Sequence, residues 1–143
     1  MFNCSHEDSM DVDLPLQEAW NFFMNPANWP KWEDQFESCF LEGDLRAGSK
    51  IKAKIKNKPI RILILITEVR PYHECKYLIK SLFFTQESLC TLQEMSPGKT
   101  RITLKMCIIG FFVPFMKTIF LKNMEKSYSK RLSVFAEITG RIC

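Results

Sequence analysis

Two pairs of residues have the types that bind a transition metal. Cys4 and His6 lie two positions apart, and so do His73 and Cys75. Alternation along a β-strand puts residues at this spacing on one side of a sheet, and thiolate and imidazole are the ligands that zinc prefers. If the two strands were neighbours, the four side chains would form a zinc site. A spacing of one intervening residue is unusual for zinc, however, and we expect no metal and no cofactor.

Acid–base chemistry has few candidates. His6 and His73 are the only side chains whose ordinary pKa lies near neutrality, and neither belongs to a recognisable catalytic triad. Tyr77 is expected to point inward by alternation, so its hydroxyl could orient a ligand carbonyl or simply bond to backbone inside the core. Glu33 and Asp34 are the carboxyls best placed to move a proton. Tyr77 and Glu33 are therefore the catalytic candidates, and no catalytic set is assigned.

The totals describe one globular domain over residues 1–143. The chain is 46% hydrophobic and 13% aromatic, which is enough to bury a substantial core. Its net charge of +4 is mild for a nucleic-acid-binding protein. The acidic N-terminus does not resemble a secretory signal, and the longest apolar run, at residues 107–116, is far shorter than a membrane span. We expect a cytoplasmic protein whose six cysteines are reduced.

The first elements are a strand near residues 2–12 and a helix in "DLPLQEAWNFFMN". Pro15 suits a first helical turn, Asp13 or the preceding turn can cap it, and Pro26 ends it. A turn-rich connection then carries Trp29 and Trp32, which either form an aromatic lip over a ligand or anchor the short helices to the sheet.

The stretch "KIKAKIK" alternates apolar and basic residues and predicts a half-buried strand. A tight turn at Asn57 and Lys58 makes the inward faces of this hairpin agree. The expected pairs are Ile55 with Ile60, Ala53 with Ile62, and Ile51 with Ile64. The lysines then form a solvent face, and because they lack interleaved aromatic residues we expect no binding of nucleic acid.

Three more strands are predicted in "HECKYLIK", "FFTQESLCTLQEM" and "TRITLKMCII". In the second of them, a tight turn would face Gln93 inward, whereas hydrophobicity favours Leu92 and Cys90. A bulge or a longer loop is needed to reconcile the two. After Gly110, apolar residues recur at helical spacing and predict one long C-terminal helix. The residues of its apolar stripe are Met116, Phe120, Met124, Tyr128, Leu132 and Phe135.

These elements predict an α+β fold. A curved antiparallel sheet of about seven strands wraps around the long C-terminal helix, and two short helices follow the first strand. If the isoleucines of "RILILI" face the concavity, Leu63 and Leu65 face outward, where they could seed a homodimer contact.

Five motifs in this order resemble the START-like helix-grip superfamily, also called SRPBCC, in its polyketide cyclase/dehydrase-like branch. They are "LPLQEAW", "NWPKW", "LEGDLRAGSKIKAKI", "TEVRP" and "PGKTRIT", and the resemblance covers roughly residues 10–138. It implies a cavity between sheet and C-terminal helix that relatives use for sterols, lipids, quinones, aromatic polyketides or plant hormones. It also implies that the first strand pairs with the last, far from His73, and it supplies no shared catalytic residue.

The resulting hypothesis is a protein that binds or transports a small hydrophobic molecule, without assigned catalysis or stable membrane insertion. The residues expected to line its cavity are Trp32, Phe36, Phe40, Ile51, Ala53, Ile62, Ile64, Tyr77, Ile79, Leu92, Ile102, Leu104, Met106, Met116, Ile119 and Phe120. One alternative is a cyclase/dehydratase-like enzyme that acts on an aromatic or lipid-like substrate. Another is a protein-interaction module with a filled core and an apolar mouth at residues 111–115.

Overall fold

The computed structural model describes residues 2–33, 36–57, 59, 61–80, 84–110 and 122. The predicted C-terminal helix lies outside the described residues, and so do Met116, Ile119, Phe120, Asp34 and the apolar mouth at residues 111–115. In the described part of the chain, no helix is long and apolar enough to cross a membrane.

The described residues form a curled antiparallel sheet of seven strands. The strands are β1 (Phe2–Val12), β2 (Phe36–Leu41), β3 (Lys50–Ile55), β4 (Arg61–Arg70), β5 (Glu74–Lys80), β6 (Phe84–Ser96) and β7 (Lys99–Gly110). Their order across the sheet is β1-β7-β6-β5-β4-β3-β2. The first strand therefore pairs with the last, as the resemblance implied, while every other neighbouring pair is consecutive in the chain.

Two short α-helices and a 3-10 segment connect β1 to β2. They are α1 (Leu16–Phe23), the 3-10 segment (Pro26–Asn28) and α2 (Trp29–Trp32). Pro15 occupies the N-cap position of α1, and no side chain caps that helix. Of the two suggested caps, Asp13 is therefore not the N-cap residue, and its carboxylate lies 3.8 Å from Lys99 Nζ. The expected stop at Pro26 is confirmed.

The predicted register of the β3–β4 hairpin is confirmed for the two pairs that can be described. Ala53 pairs with Ile62, and Ile51 pairs with Ile64. Ile60 lies outside the described residues. On the opposite face, Lys52 Nζ lies 2.7 Å from Glu42 Oε1, and Lys54 Nζ lies 2.7 Å from Glu37 Oε2. The lysine row is therefore an outer, solvent-facing surface whose charges are partly matched by acidic residues.

Three β-bulges change the phase of the side-chain alternation. Glu37 in β2, Thr67 in β4 and Met95 in β6 are each the extra residue at a register shift. With Met95 as an extra residue, β6 and β7 can be joined by a tight turn while Leu92 still faces inward. The predicted bulge in this strand is therefore confirmed. Because a bulge reverses which residues of a strand face inward, the alternation read from sequence fails beyond each of these positions.

Phe40 shows what the first bulge does. The sequence pattern places Phe36 and Phe40 on the same inward face, but with Glu37 as the extra residue it is Cys39 that is buried. Phe40 is 62% exposed and lies opposite Lys52 on the outer face. Its predicted place in the cavity wall is therefore wrong.

The helices fill one end of the concave face. Phe23 and Trp32 pack there with their ring centroids 6.1 Å apart. Between them and the side chains of Ile102 and Leu104 remains a void of about 10 Å³, roughly the volume that one water molecule needs. This end of the sheet is close-packed core and has no room for a ligand.

Candidate ligand-binding site

A cavity of about 170 Å³ lies on the concave face, beyond the region that the helices fill. Its lining combines aliphatic and aromatic side chains with a few polar ones, which is the usual composition of a small-molecule site. The lining residues are Glu33, Phe36, Ile55, Ile62, Tyr77, Ile79, Lys80, Phe84, Gln86 and Met106. The end of α2 and strands β2 to β7 thus contribute to one wall.

The structure separates the residues that sequence predicted for the cavity into two groups. Phe36, Ile62, Tyr77, Ile79 and Met106 line it, and Glu33 joins them at the end of α2. The remaining inward-facing residues lie in the close-packed core and do not line this cavity; these are Trp32, Ile51, Ala53, Ile64, Leu92, Ile102 and Leu104. An inward-facing side chain is thus not by itself a cavity side chain, because part of the concavity is filled.

The sequence analysis did not predict four of the lining residues, Ile55, Lys80, Phe84 and Gln86. For Phe84 and Gln86, the sequence pattern contained a usable signal. Once Leu92 and Cys90 are assigned to the inward face of β6, period-two alternation places Gln86 and Phe84 on that face as well. A glutamine in this register is a polar group on an apolar surface, and such groups are informative about binding.

An aromatic wall supports the cavity from the helix side. Trp29 is 1% exposed, and its Nε1–H donates to the backbone carbonyl of Phe23 at 2.8 Å. Its ring lies 5.2 Å from that of Tyr77 and stacks on Phe36 at 6.4 Å. Of the two interpretations, an aromatic lip or an anchor, these contacts favour the anchor for Trp29. Trp32 is 5% exposed and lies in the core as well.

A short polar chain runs along the cavity floor. Gln86 Nε2 donates to Ser88 Oγ at 3.4 Å and approaches Met106 Sδ at 3.7 Å. Ser88 lies directly opposite Tyr77 where β6 pairs with β5. Tyr77 and Gln86 line the cavity, whereas Ser88 is 3% exposed. Along these strands the neutral polar groups that line the cavity are therefore the phenol of Tyr77 and the amide of Gln86, beside the charged side chains of Glu33 and Lys80.

Burial raises the pKa of Tyr77 above its ordinary value. The neighbouring Cys90 and Glu33 raise this pKa further, and the side chain of Ser88 lowers it only in part. Tyr77 is therefore a neutral phenol near pH 7. In that state it can donate a hydrogen bond, but it cannot act as a base.

The two candidate metal-binding pairs do not meet. The strand of Cys4 and His6 is separated from that of Cys75 by β7 and β6. His6 Nε2 lies 2.8 Å from Asp8 Oδ1, whereas His73 Nδ1 lies 2.9 Å from the carbonyl oxygen of Pro71 in the turn after β4. Among the residues that the structure describes, no three candidate metal ligands cluster.

A second hollow, of about 480 Å³, lies mainly on the outer face of β5, β6 and β7. Charged side chains surround it, among them Lys76, Glu87 and Lys105. Leu78 and Leu89 form its half-buried floor. Because the walls of this hollow are exposed charged side chains, the cavity of the concave face is the better candidate for holding an apolar ligand.

Comparison with known proteins identifies the fold. No family model matches the chain, and no curated protein matches it. Among solved structures, the Zhui aromatase/cyclase from Streptomyces sp. R1128 is similar with a TM-score of 0.77 at 8% identity, and the match covers 99% of this chain and 97% of that one. A START superfamily protein from Mycobacterium smegmatis is similar with a TM-score of 0.68 at 11% identity, covering 94% and 99% of the two chains.

The di-domain aromatase/cyclase BexL of the BE-7585A biosynthetic pathway is also similar, with a TM-score of 0.72 at 12% identity. The match covers 90% of this chain but only 45% of BexL, so the chain spans about half the length of that protein. At these identities the comparisons show the fold alone. The chain therefore has a START-like, polyketide cyclase-like fold.

Proposed function

We propose that this protein binds a small, predominantly apolar molecule in the cavity of its concave face. The observation that carries the proposal is the cavity itself, because protein interiors are normally packed to the density of organic crystals. An open volume of about 170 Å³ beside a close-packed aromatic core leaves apolar contacts unmade, and a ligand would supply them. The similarity to a START superfamily protein and to aromatase/cyclases supports the same class of function.

Ligand-induced stabilisation tests this proposal. A molecule that binds only the folded state raises its stability by about 2.7 kcal/mol at one hundred times its dissociation constant. We expect at least one member of a panel of lipids, quinones, sterols and small aromatic ketones to raise the melting temperature in a concentration-dependent way.

Two variants show where such a ligand binds. Ile62→Phe adds volume to the cavity wall, whereas Leu63→Phe adds the same ring type next to it, on the outer face. Only Ile62→Phe should abolish the stabilisation. A ligand response that survives Ile62→Phe and is lost in Leu63→Phe would contradict the proposed site.

A cyclase/dehydratase-like activity is the second candidate, and the position of Glu33 favours it. This carboxyl is only 4% exposed, lines the cavity, and is close enough to Tyr77 to raise the pKa of the phenol. A carboxyl and a neutral phenol facing the same bound molecule are suited to proton transfer. Turnover of an aromatic substrate that is lost in both Glu33→Gln and Tyr77→Phe would establish this activity, and unchanged turnover would exclude these two residues.

The homodimer through Leu63 and Leu65 also remains a proposal. Leu63 is 49% exposed on the outer face, and Leu65 beside it is half-buried. An exposed leucine by itself is ordinary surface. Sedimentation equilibrium of the wild-type protein and of Leu63→Lys would show whether the contact exists, since the added charge should dissociate a dimer formed there.

A further inference from the structure

The outer face of strands β2 to β4 exposes two large apolar side chains in one row. Phe40 in β2 pairs with Lys52 in β3, and Lys52 pairs with Leu63 in β4. Phe40 is 62% exposed and Leu63 is 49% exposed, so both contact water on either side of the lysine. Two residues further along β4, the half-buried Leu65 lies beside Lys50. Apolar and basic side chains therefore alternate across this face.

This face carries more positive than negative charge. Its cations are Lys50, Lys52, Lys54 and Arg61, and its anions are Glu37 and Glu42. Lys52 and Lys54 each form an ion pair of 2.7 Å with one of the two carboxylates. Within the part of the chain that the structure describes, Lys50 and Arg61 form no ion pair. Two positive charges are therefore left unmatched beside the exposed apolar side chains.

The shape of the sheet limits what can cover this face. The sheet curls around its concave side, so its outer side is convex. A second copy of the chain would touch this side along a narrow strip, and it would bring the unmatched charges of the two copies together at a cost in free energy. A planar anionic surface attracts the surplus charge and takes up protruding apolar side chains.

A nucleic acid fits this face less well than a lipid surface. Proteins that bind single strands stack successive bases on several aromatic rings. In the described part of strands β2 to β4, Phe40 is the aromatic side chain of the outer face, and its neighbours Leu63 and Leu65 are aliphatic. Leucine side chains enter the boundary between headgroups and acyl chains, but they offer no ring on which a base can stack.

We propose that the outer face of β2 to β4 docks on an anionic lipid bilayer, with Phe40 and Leu63 inserted at the interface and Lys50 and Arg61 against the lipid phosphates. The contact is peripheral, because only a few side chains enter the bilayer. It goes beyond the proposed binding function, since it uses the face opposite the cavity, and it competes with the homodimer contact for Leu63.

Vesicle sedimentation tests the docking. The probes are vesicles of phosphatidylcholine alone and vesicles of phosphatidylcholine mixed with phosphatidylglycerol. We expect the wild-type protein to bind the anionic vesicles at low salt, and we expect added salt to weaken this binding because it screens the charges. Binding of both kinds of vesicle to the same extent, or of neither kind, would overturn the inference.

Two matched pairs of variants locate the contact. Lys50→Gln and Lys99→Gln remove the same charge, but Lys99 begins β7 and lies away from this face. Lys50→Gln should weaken binding to anionic vesicles about fivefold, the worth of one basic residue near such a surface, and Lys99→Gln should leave it unchanged. Phe40→Ser should weaken it about tenfold, whereas Met95→Ser removes an exposed side chain from β6 and should have no effect. Equal losses within either pair would overturn the inference.

A fluorescence measurement reports the insertion directly. In Phe40→Trp the new indole lies on the outer face, whereas the native tryptophans are buried. Brominated phosphatidylglycerol should quench the emission of Phe40→Trp, and it should quench that of Met95→Trp much less. Equal quenching in the two variants would overturn the inference. So would a wild-type protein that ignores vesicles and uses this face for a single-stranded oligonucleotide or for a dimer that Phe40→Ser dissociates.

Discussion

Tyr77 on β5 and Ser88 on β6 are direct cross-strand partners, and both side chains are buried on the concave face of the sheet. They are 7% and 3% exposed, respectively. At this burial each hydroxyl depends on polar groups of the protein, because water cannot replace a missing partner.

The first prediction concerns the coupling of these two hydroxyls. Tyr77→Phe and Ser88→Ala should each lower the free energy of unfolding by about 1 kcal/mol, since each leaves a buried polar group without its partner. The double variant should cost less than the sum of the two, because it removes both groups together. Urea unfolding of the four proteins measures the coupling, and strict additivity would show that the hydroxyls do not interact.

The second prediction tests the bulge at Glu37. Phe40→Ala should change the free energy of unfolding by no more than about 0.5 kcal/mol, because the side chain is 62% exposed. Phe23→Ala is the matched control, and at 2% exposure it should cost about 3 to 5 kcal/mol. If Phe40→Ala proved as costly as Phe23→Ala, Phe40 would face the core and the register of β2 would be wrong.

The third prediction concerns stability at alkaline pH. Burial raises the pKa of the Cys75 thiol from its ordinary value of 9.0 to about 12. The unfolded chain therefore loses this proton first, so the contribution of Cys75 is fully present below pH 9 and is lost as the pH rises towards 12.

Cys75→Ala isolates this effect from the other groups that titrate at high pH. The free energy of unfolding of the variant should fall less steeply between pH 9 and pH 11 than that of the wild-type protein. Guanidinium unfolding at a series of pH values gives both slopes. Identical slopes would mean that the thiol has the same pKa in both states.

The fourth prediction concerns the junction between β1 and α1. Thr100 is 0% exposed, and its Oγ1 donates to the backbone carbonyl of Leu14 at 2.8 Å. Thr100→Val keeps the volume but removes the donor, so it should cost about 1 kcal/mol. Thr103→Val is the control, since the hydroxyl of Thr103 bonds to Ser9 at an exposed site where water replaces the partner. Equal costs for the two variants would contradict a special role for the buried bond.

Sequence reasoning succeeded where two independent patterns agreed. In the β3–β4 hairpin, alternation and turn length both place Ile51 opposite Ile64, and the structure has the same pair. It failed at Phe40, because an extra residue in a strand leaves no mark in the pattern of hydrophobic residues. Nor did it distinguish Ile64, which is packed in the core, from Ile62, which lines the cavity. Both residues face inward, and the difference depends on which part of the sheet is covered by close-packed side chains.

The polar part of the site was the hardest to foresee. Tyr77 was a candidate because alternation points it inward, but Gln86 and Ser88 are ordinary surface residue types. Their role depends on direct cross-strand pairing of β5 with β6, which places Ser88 opposite Tyr77 and Gln86 opposite Ile79. That pairing is a property of the folded sheet and not of any local motif.

The three bulges also bear on how this chain should be aligned with others of the same fold. Glu37, Thr67 and Met95 each lengthen one strand by a residue without lengthening its partner. A homologue that lacks one of them can build the same sheet from a strand one residue shorter. Gaps of one position therefore belong inside β2, β4 and β6, and an alignment that moves them into loops would compare core residues with surface residues.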